Sequence, residues 1–300
     1  MKIILSGASG TIGTALRAHL AGLGHDVIRL VRSGPGPGEA LWDPAAGRLD
    51  PKVLAGADGV INLNGAGIGD KRWTGKRKRL IVESRTGPTR LLAETMAALD
   101  QAPQVFLSAS AIGVYGDRGD EELTEASALG DPDDDFLVEV ATTWEGAAAP
   151  AIEAGIRTVL LRTGIVLDAG GGALGRMLLP FKLGVGGRLG SGKQWWSWIS
   201  LEDEVRAITH LLDAGLAGPV NLTAPNAVTN RDFTEALGDA LGRPTLLPVP
   251  RFALEAILGA DLAQAVVFTS ARVLPEQLLA DGFAFANPTI DQALGSLFKG

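Results

Sequence analysis

The chain has 300 residues, 46% hydrophobic and 20% charged, with a net charge of −7. That balance excludes a disordered chain, and its negative sign argues against a general nucleic-acid binder. The absence of cysteine excludes disulfides, a thiolate nucleophile and cysteine metal sites.

KIIL, bounded by SGASG, reads as a buried strand. TIGTALRAHLAGLGH follows, with Ile12, Leu16, Leu20 and Leu23 at helical spacing and Gly24 as its C-terminal stop. Between the two, GASGTIG sets Gly7, Gly10 and Gly13 three apart, directly after a strand and at the start of a helix. A tight turn needs a residue without Cβ, a pyrophosphate must approach backbone N–H groups closely, and the helix N-terminus supplies partial positive charge. Gly7, Ser9, Gly10, Thr11 and Ile12 are therefore the expected contacts of a dinucleotide's phosphates.

DVIRLV is a second strand. It ends in Arg32 and Ser33, with no acid until Glu39. A carboxylate at that place would accept hydrogen bonds from the adenosine ribose, whereas an arginine pairs bidentately with a 2′-phosphate and a serine can donate to it. NADP(H) is expected rather than NAD(H). GPGPG, residues 34–38, is a turn-rich loop.

VINL (60–63) and VFLSAS (105–110) are further strands. A helical pattern runs between them from about Lys76 to Leu99, where Pro88 is expected to introduce a kink. Residues 136–154 are helical again, with Gly146 and Pro150 as breaks. TVLLRTGIVL and PVNLTAP are two more strands. The stretch after Asp168, rich in glycine and tryptophan, reads as irregular, and the tail from Asn226 as short helical pieces. Strands alternating with helices imply βαβ units. The expected fold is α/β: a Rossmann-type doubly wound parallel sheet (residues 1–165 with 199–224) and a smaller C-terminal α/β substrate domain (166–198 with 225–300).

Seven basic residues lie between Lys71 and Arg85. They read as a solvated helical face with one or two charges turned toward phosphates, because no aromatic platform for nucleic acid accompanies them. The loop Asp117 to Asp135 carries nine carboxylates and one arginine, without the spacing of a calcium loop. His19, His25 and His210 are too scattered for a metal motif, so no metal is expected. In QWWSWIS, Trp196 and Trp198 share one face if the segment is extended; they either line a substrate pocket or join the two parts in an apolar seam. GRLGSGKQ ahead of it offers Lys193 to an anionic substrate. No apolar run reaches the roughly 18 residues of a membrane helix, and the opening segment is too soon broken by glycine for a secretion signal. A cytoplasmic protein that binds neither membrane nor nucleic acid is expected.

From end to end the chain resembles an atypical extended short-chain dehydrogenase/reductase, of the epimerase-family subgroup whose members carry a C-terminal domain of unknown function. GASGTIG, VINLNGAGIGDKRWT, SRTGPTRLL, SASAIGVYGDRGDEELTE, LRTGIVL and the glycine–tryptophan block carry the likeness. It implies a bound NADP(H) and a small domain closing over a substrate cleft. Leu63, Asn64 and Gly65 would run past the adenosine side of the cofactor, Arg85 would face it, and Val166 would lie by the nicotinamide half. Asn64 stands where the family more often has alanine, and Ser200 where it usually has histidine.

In the wider superfamily a serine polarises the substrate oxygen, and a tyrosine passes the proton beside a lysine that lowers its pKa. Ser110 fits the serine. The positions of the tyrosine and lysine are Leu137 and Ala141, and no register shift rescues them. The chain has one tyrosine, and no lysine between Lys78 and Lys182. Tyr115, five residues past Ser110, either serves as substitute proton donor or closes its loop by packing. The leading expectation is an NADP(H)-dependent oxidoreductase or epimerase acting on a small polar metabolite, perhaps a sugar nucleotide by the family label. The alternative is an NADP(H)-binding redox sensor without turnover.

Overall fold

Apolar side chains alternate between the two faces of each central strand, and that period of two builds a sheet buried on both sides. The structure, a computed structural model, describes residues 1–298. In chain order its first half comprises β1 (Lys2–Ser6), α1 (Thr11–Gly22), β2 (Asp26–Val31), β3 (Glu39–Asp43), β4 (Arg48–Leu49), α2 (Pro51–Leu54), β5 (Gly59–Asn62), α3 (Gly75–Ala97), β6 (Val105–Ala111), β7 (Glu122–Leu123), α4 (Phe136–Gly146) and α5 (Ala149–Glu153). The second half comprises β8 (Arg157–Thr163), β9 (Ile165–Leu167), α6 (Gly172–Lys182), β10 (Trp195–Trp196), β11 (Trp198–Ser200), α7 (Leu201–Asp213), β12 (Gly218–Leu222), β13 (Val228–Thr229), α8 (Asn230–Leu241), α9 (Arg251–Leu258), α10 (Ala260–Ala263), β14 (Arg272–Val273), α11 (Glu276–Ala280) and α12 (Ile290–Phe298).

Eight strands form the main sheet in the order β12-β8-β6-β5-β1-β2-β3-β4. Every pairing is parallel except β3 with β4. Strand order reverses at β1, which opens a crevice at the carboxyl ends of β1 and β5. Ile3, Leu5, Val105, Leu107, Val159 and Leu161 face α1 and α7. Ile4, Val60, Phe106 and Leu160 point the opposite way, into a cluster with Leu92, Ala93 and Met96 of α3. A third cluster joins Leu174, Leu178 and Phe181 of α6 to Trp196, Trp198, Phe233 and Leu294.

Two local readings change. The segment after Asp168 is not wholly irregular: α6 buries Leu174, Leu178 and Phe181 on one helical face. Pro150 opens α5 rather than breaking a helix, since the missing N–H is an orphan at that position anyway. Pro88 lies inside the continuous 23-residue α3 and does not end it.

Candidate functional site

At the carboxyl end of β1 the chain turns at Gly7, with φ at +73°, where a Cβ would stand 2.5 Å from the Leu63 carbonyl oxygen. A Cβ on Gly13 would meet the Gly7 carbonyl at 2.3 Å. Both glycines are thus required by close backbone approach. Helix α1 then starts at Gly10 with no side chain capping it and no acid in its first turn. Its leading N–H groups and the positive end of its dipole remain available to an anion. Ser9 and Thr11 are exposed beside it, and Ile12 is half-buried.

At the end of β2, Arg32 and Ser33 are exposed. Glu39, the nearest acid, is already engaged: Arg29 holds one oxygen at 2.5 Å and the Gly36 N–H donates to the other at 2.7 Å. Arg32 is left exposed there, in a cavity that Asp43, Arg48 and Asp50 also line.

Past β5 the buried amide of Asn62 organises a polar cluster. Ser6 and Asn64 donate to its oxygen, each at 2.8 Å, and its nitrogen donates to Thr89 at 2.7 Å. Trp144 also donates to Thr89, at 3.0 Å. Arg85 lies on the Trp144 ring with its guanidinium 5.0 Å from the centroid. A Cβ on Gly65 would meet that guanidinium at 3.0 Å. Arg85 is 7% exposed, and its Nε is buried without a partner. Burial, with Arg77 adding like charge, pushes its pKa down to about 10, and no carboxylate offsets the shift. A buried cation that lacks an anion is costly unless a ligand supplies one. Val166 is half-buried in β9, and the following segment returns to the loop: a Cβ on Gly171 would lie 3.5 Å from Thr11 Oγ1. Bare glycine turn, open helix end and unpaired Arg85 together fit the phosphates of a dinucleotide.

The expected catalytic pair is placed differently. Ser110 is 3% exposed, and its hydroxyl donates to Glu145 Oε1 at 2.6 Å. Tyr115 has no exposed surface; its hydroxyl donates to Asn221 Oδ1 at 2.8 Å and accepts from Arg162 Nη1 at 3.0 Å. Burial raises the phenol's pKa, against the lowering influence of Arg162. One buried network therefore holds both hydroxyls. Ser110, expected as the substrate's hydrogen-bond donor, and Tyr115, weighed as a proton donor or as a packing residue, thus both have their hydroxyls engaged by neighbouring side chains. Leu137 adjoins Gly113, and Ala141 is buried, so the positions of the missing pair carry no proton-transfer group. Glu145, Arg162 and Asn221 carry no sequence signal of their own, because their partnership joins a helix to two strands far apart in the chain.

The basic run is also more engaged than a solvated face. Arg72 donates to the Ala256 and Ile257 carbonyls at the end of α9, Lys78 pairs with Asp261, and Arg77 donates to the Gly67 carbonyl. From the other side Arg176 of α6 reaches Asp70 at 2.8 Å. The loop past β5 is thus tied to both α6 and the α9–α10 segment. Trp196 and Trp198 are buried against α8, the seam arrangement, while Lys193 is exposed. Among the described residues no cluster could hold a metal ion, and no helix is long and apolar enough to cross a membrane.

Comparison with known proteins agrees with this geometry. The model of the NAD dependent epimerase/dehydratase family matches residues 3–223, and that of a domain of unknown function (DUF1731) matches residues 249–297. The epimerase family protein Mb2239 of Mycobacterium bovis is 43% identical over 98% of this chain and 96% of its own length. The crystal structure of human epimerase family protein SDR39U1 (isoform2) with NADPH superposes with a TM-score of 0.91 at 34% identity, covering 100% of both chains. That of the nucleoside-diphosphate sugar epimerase from Corynebacterium glutamicum gives a TM-score of 0.79 at 37% identity, covering 99% of this chain and 58% of that one. With its doubly wound sheet and glycine turn, the chain belongs to the NAD dependent epimerase/dehydratase family.

Proposed function

We propose that this chain binds NADP(H) and works on a small polar metabolite, of the sugar-nucleotide class, as an oxidoreductase or epimerase. The buried Arg85 guanidinium beside Gly65, bonded through Nη1 only to the Ile81 carbonyl and with Nε unsatisfied and no carboxylate near, is the observation that carries the reading. Gly7, Ser9, Gly10, Thr11 and Ile12 would take the pyrophosphate with Arg85 facing the cofactor's anionic part, Arg32 and Ser33 the 2′-phosphate, and Leu63, Asn64, Gly65 and Val166 the remainder. The human relative solved with NADPH and the relative named as a nucleoside-diphosphate sugar epimerase support the choice of cofactor and substrate class. When bound, NADP(H) supplies or accepts a hydride. Residues 1–165 with 199–224 form the cofactor part and 166–198 with 225–300 the cap, whose Lys299 and Gly300 lie outside the described residues.

A second reading, an NADP(H) sensor without turnover, is favoured by one observation: both expected catalytic hydroxyls are sealed in the interior. Titration calorimetry on cofactor-stripped protein tests the binding, and absence of heat with either form of the coenzyme sinks it. Oxidation of bound NADPH in a screen of aldehydes, ketones and sugar nucleotides separates enzyme from sensor.

A further inference from the structure

The carboxyl end of β8 carries a pair of groups that the cofactor contacts leave unused. Glu204, in the first turn of α7, has no exposed surface. The Thr163 hydroxyl donates to its Oε1 at 2.9 Å, and its Oε2 is buried without a partner. An ionised oxygen stripped of both water and donors costs several kcal/mol, so this geometry suits the neutral acid. Burial pushes the group up to about 8, with the Thr163 bond pulling the other way.

No charged neighbour takes part in that shift. Of the elements packed against α7, β6, β9 and β11 contain no titratable residue. On β8, Arg162 turns to Glu145 and Tyr115 on the opposite face, and Arg157 donates to carbonyls at the far end of α7. On α1 the titratable residues are Arg17 and His19. On α7 itself Asp203 is held by Ser200, Arg206 and the backbone of Ala286 and Asn287.

Thr163 is half-buried at the crevice, in register with Ala111 and followed directly by Gly164 and β9. It stands on the β6–β8 side of the sheet, opposite the Arg32 end. A dinucleotide gripped at α1, with its adenosine at β2, extends its second half toward that side.

We propose that Thr163 and Glu204 form a proton site linked to the redox state of the bound cofactor: Glu204 loses its proton when the oxidised, positively charged nicotinamide ring is held and keeps it beside the neutral reduced ring. The Glu204 O–H bond breaks as the Thr163 hydroxyl, which donates to Oε1 in the structure, turns to accept that proton and gives its own to water; the carboxylate left behind would be stabilised by a bound cation in this low-dielectric surrounding. Nothing is oxidised or reduced in the step. Glu204 acts through Thr163 and is a positioning residue for the proton. The inference rests on the NADP(H) reading above.

Calorimetry of the full, cofactor-stripped chain near pH 7, in two buffers of different ionisation heat, counts the protons exchanged on binding. The expected result is release of most of one proton with NADP⁺ and far less with NADPH. Glu204→Gln is expected to bind both forms and to lose that difference. Carboxyl ¹³C NMR of the wild-type chain is expected to show the Glu204 midpoint well above the usual glutamate range and lowered by NADP⁺. Equal proton counts for the two forms, a difference that survives in Glu204→Gln, or a midpoint unmoved by NADP⁺ overturns this proposal alone. No heat with either coenzyme overturns the cofactor reading and this one with it.

Discussion

Arg162 and Glu145 meet as a bidentate pair between β8 and α4, Nε to Oε1 at 2.9 Å and Nη2 to Oε2 at 3.0 Å, with side chains only 5% and 9% exposed. Burial works against the arginine's charge, but the carboxylate and the Tyr115 oxygen outweigh it and hold the guanidinium firmly protonated. Breaking such a pair strands one charge in the interior, at a cost of about 3–5 kcal/mol. Arg162→Met is expected to lower unfolding stability by that amount in urea denaturation. The double variant Glu145→Leu/Arg162→Met should recover much of it, because neither charge is then left alone. A double variant as unstable as the single one would mean that the pair does more than satisfy itself.

The same network predicts that Tyr115→Phe is a stability variant and not a cofactor variant. Loss of the hydroxyl leaves Asn221 Oδ1 and Arg162 Nη1 short of a partner in the interior, worth about 1–3 kcal/mol. NADPH affinity by calorimetry should stay at the wild-type value. A tenfold loss of affinity with unchanged stability would return Tyr115 to the crevice.

Most of the fold was legible because it rests on local signals. Strands β1, β2, β6 and β12 follow apolar runs bounded by glycine or proline, and α1 follows the spacing of Leu16 and Leu20. The glycine turn was legible for the same reason: Gly7 and Gly13 contact residues close by or at the end of a neighbouring strand. Helix α6 was missed because glycines crowd its first turn, and its stability comes from packing Leu178 and Phe181 onto β11 and α8 rather than from propensity. The fate of Ser110 was not legible at all. A strand-end serine points into the crevice or behind it according to the register, and what seals it, Glu145, lies 35 residues away.

The proposed contact of Arg32 with the 2′-phosphate makes the choice of coenzyme testable. It is exposed at the end of β2, while Glu39 is engaged by Arg29 and cannot serve the ribose. A charge-assisted contact to a 2′-phosphate is worth about 1.5–3 kcal/mol. Arg32→Ala is therefore expected to weaken NADPH binding by roughly tenfold or more, leaving NADH binding where it was. Equal loss for both coenzymes, measured by calorimetry, would place Arg32 elsewhere in the site.

Gly7→Ala tests the turn itself. The residue sits at φ +73°, and its new methyl would overlap the Leu63 carbonyl. Backbone on both sides leaves no flexible side chain to give way, so the turn must move. The expected outcome is loss of measurable binding for both coenzymes, with stability also lowered, checked by calorimetry and by urea unfolding of the same preparation. Ala at position 10, where the nearest atom to a Cβ would be 3.5 Å away, is the control and should fold normally.

Glu204 supplies a pH dependence whose sign can be worked out. Its folded value is raised to about 8, mainly by burial, from an ordinary 4.5. Below the ordinary value both folded and unfolded chains hold the proton, and the group favours neither. As pH rises through the window between the two values the unfolded chain releases its proton while the folded chain keeps it, so the folded state loses stability; above about 8 the folded group ionises too and the loss levels off. Each pH unit in the window is worth about 1.4 kcal/mol. Glu204→Gln carries no such proton, and contributions common to both proteins, such as the raised Glu125, cancel in the comparison. The variant should therefore gain on the wild type by a few kcal/mol between pH 5 and pH 8, read as the difference in urea midpoints at the two pH values. A constant difference would mean that Glu204 is ionised in the folded chain, with a donor reaching its second oxygen.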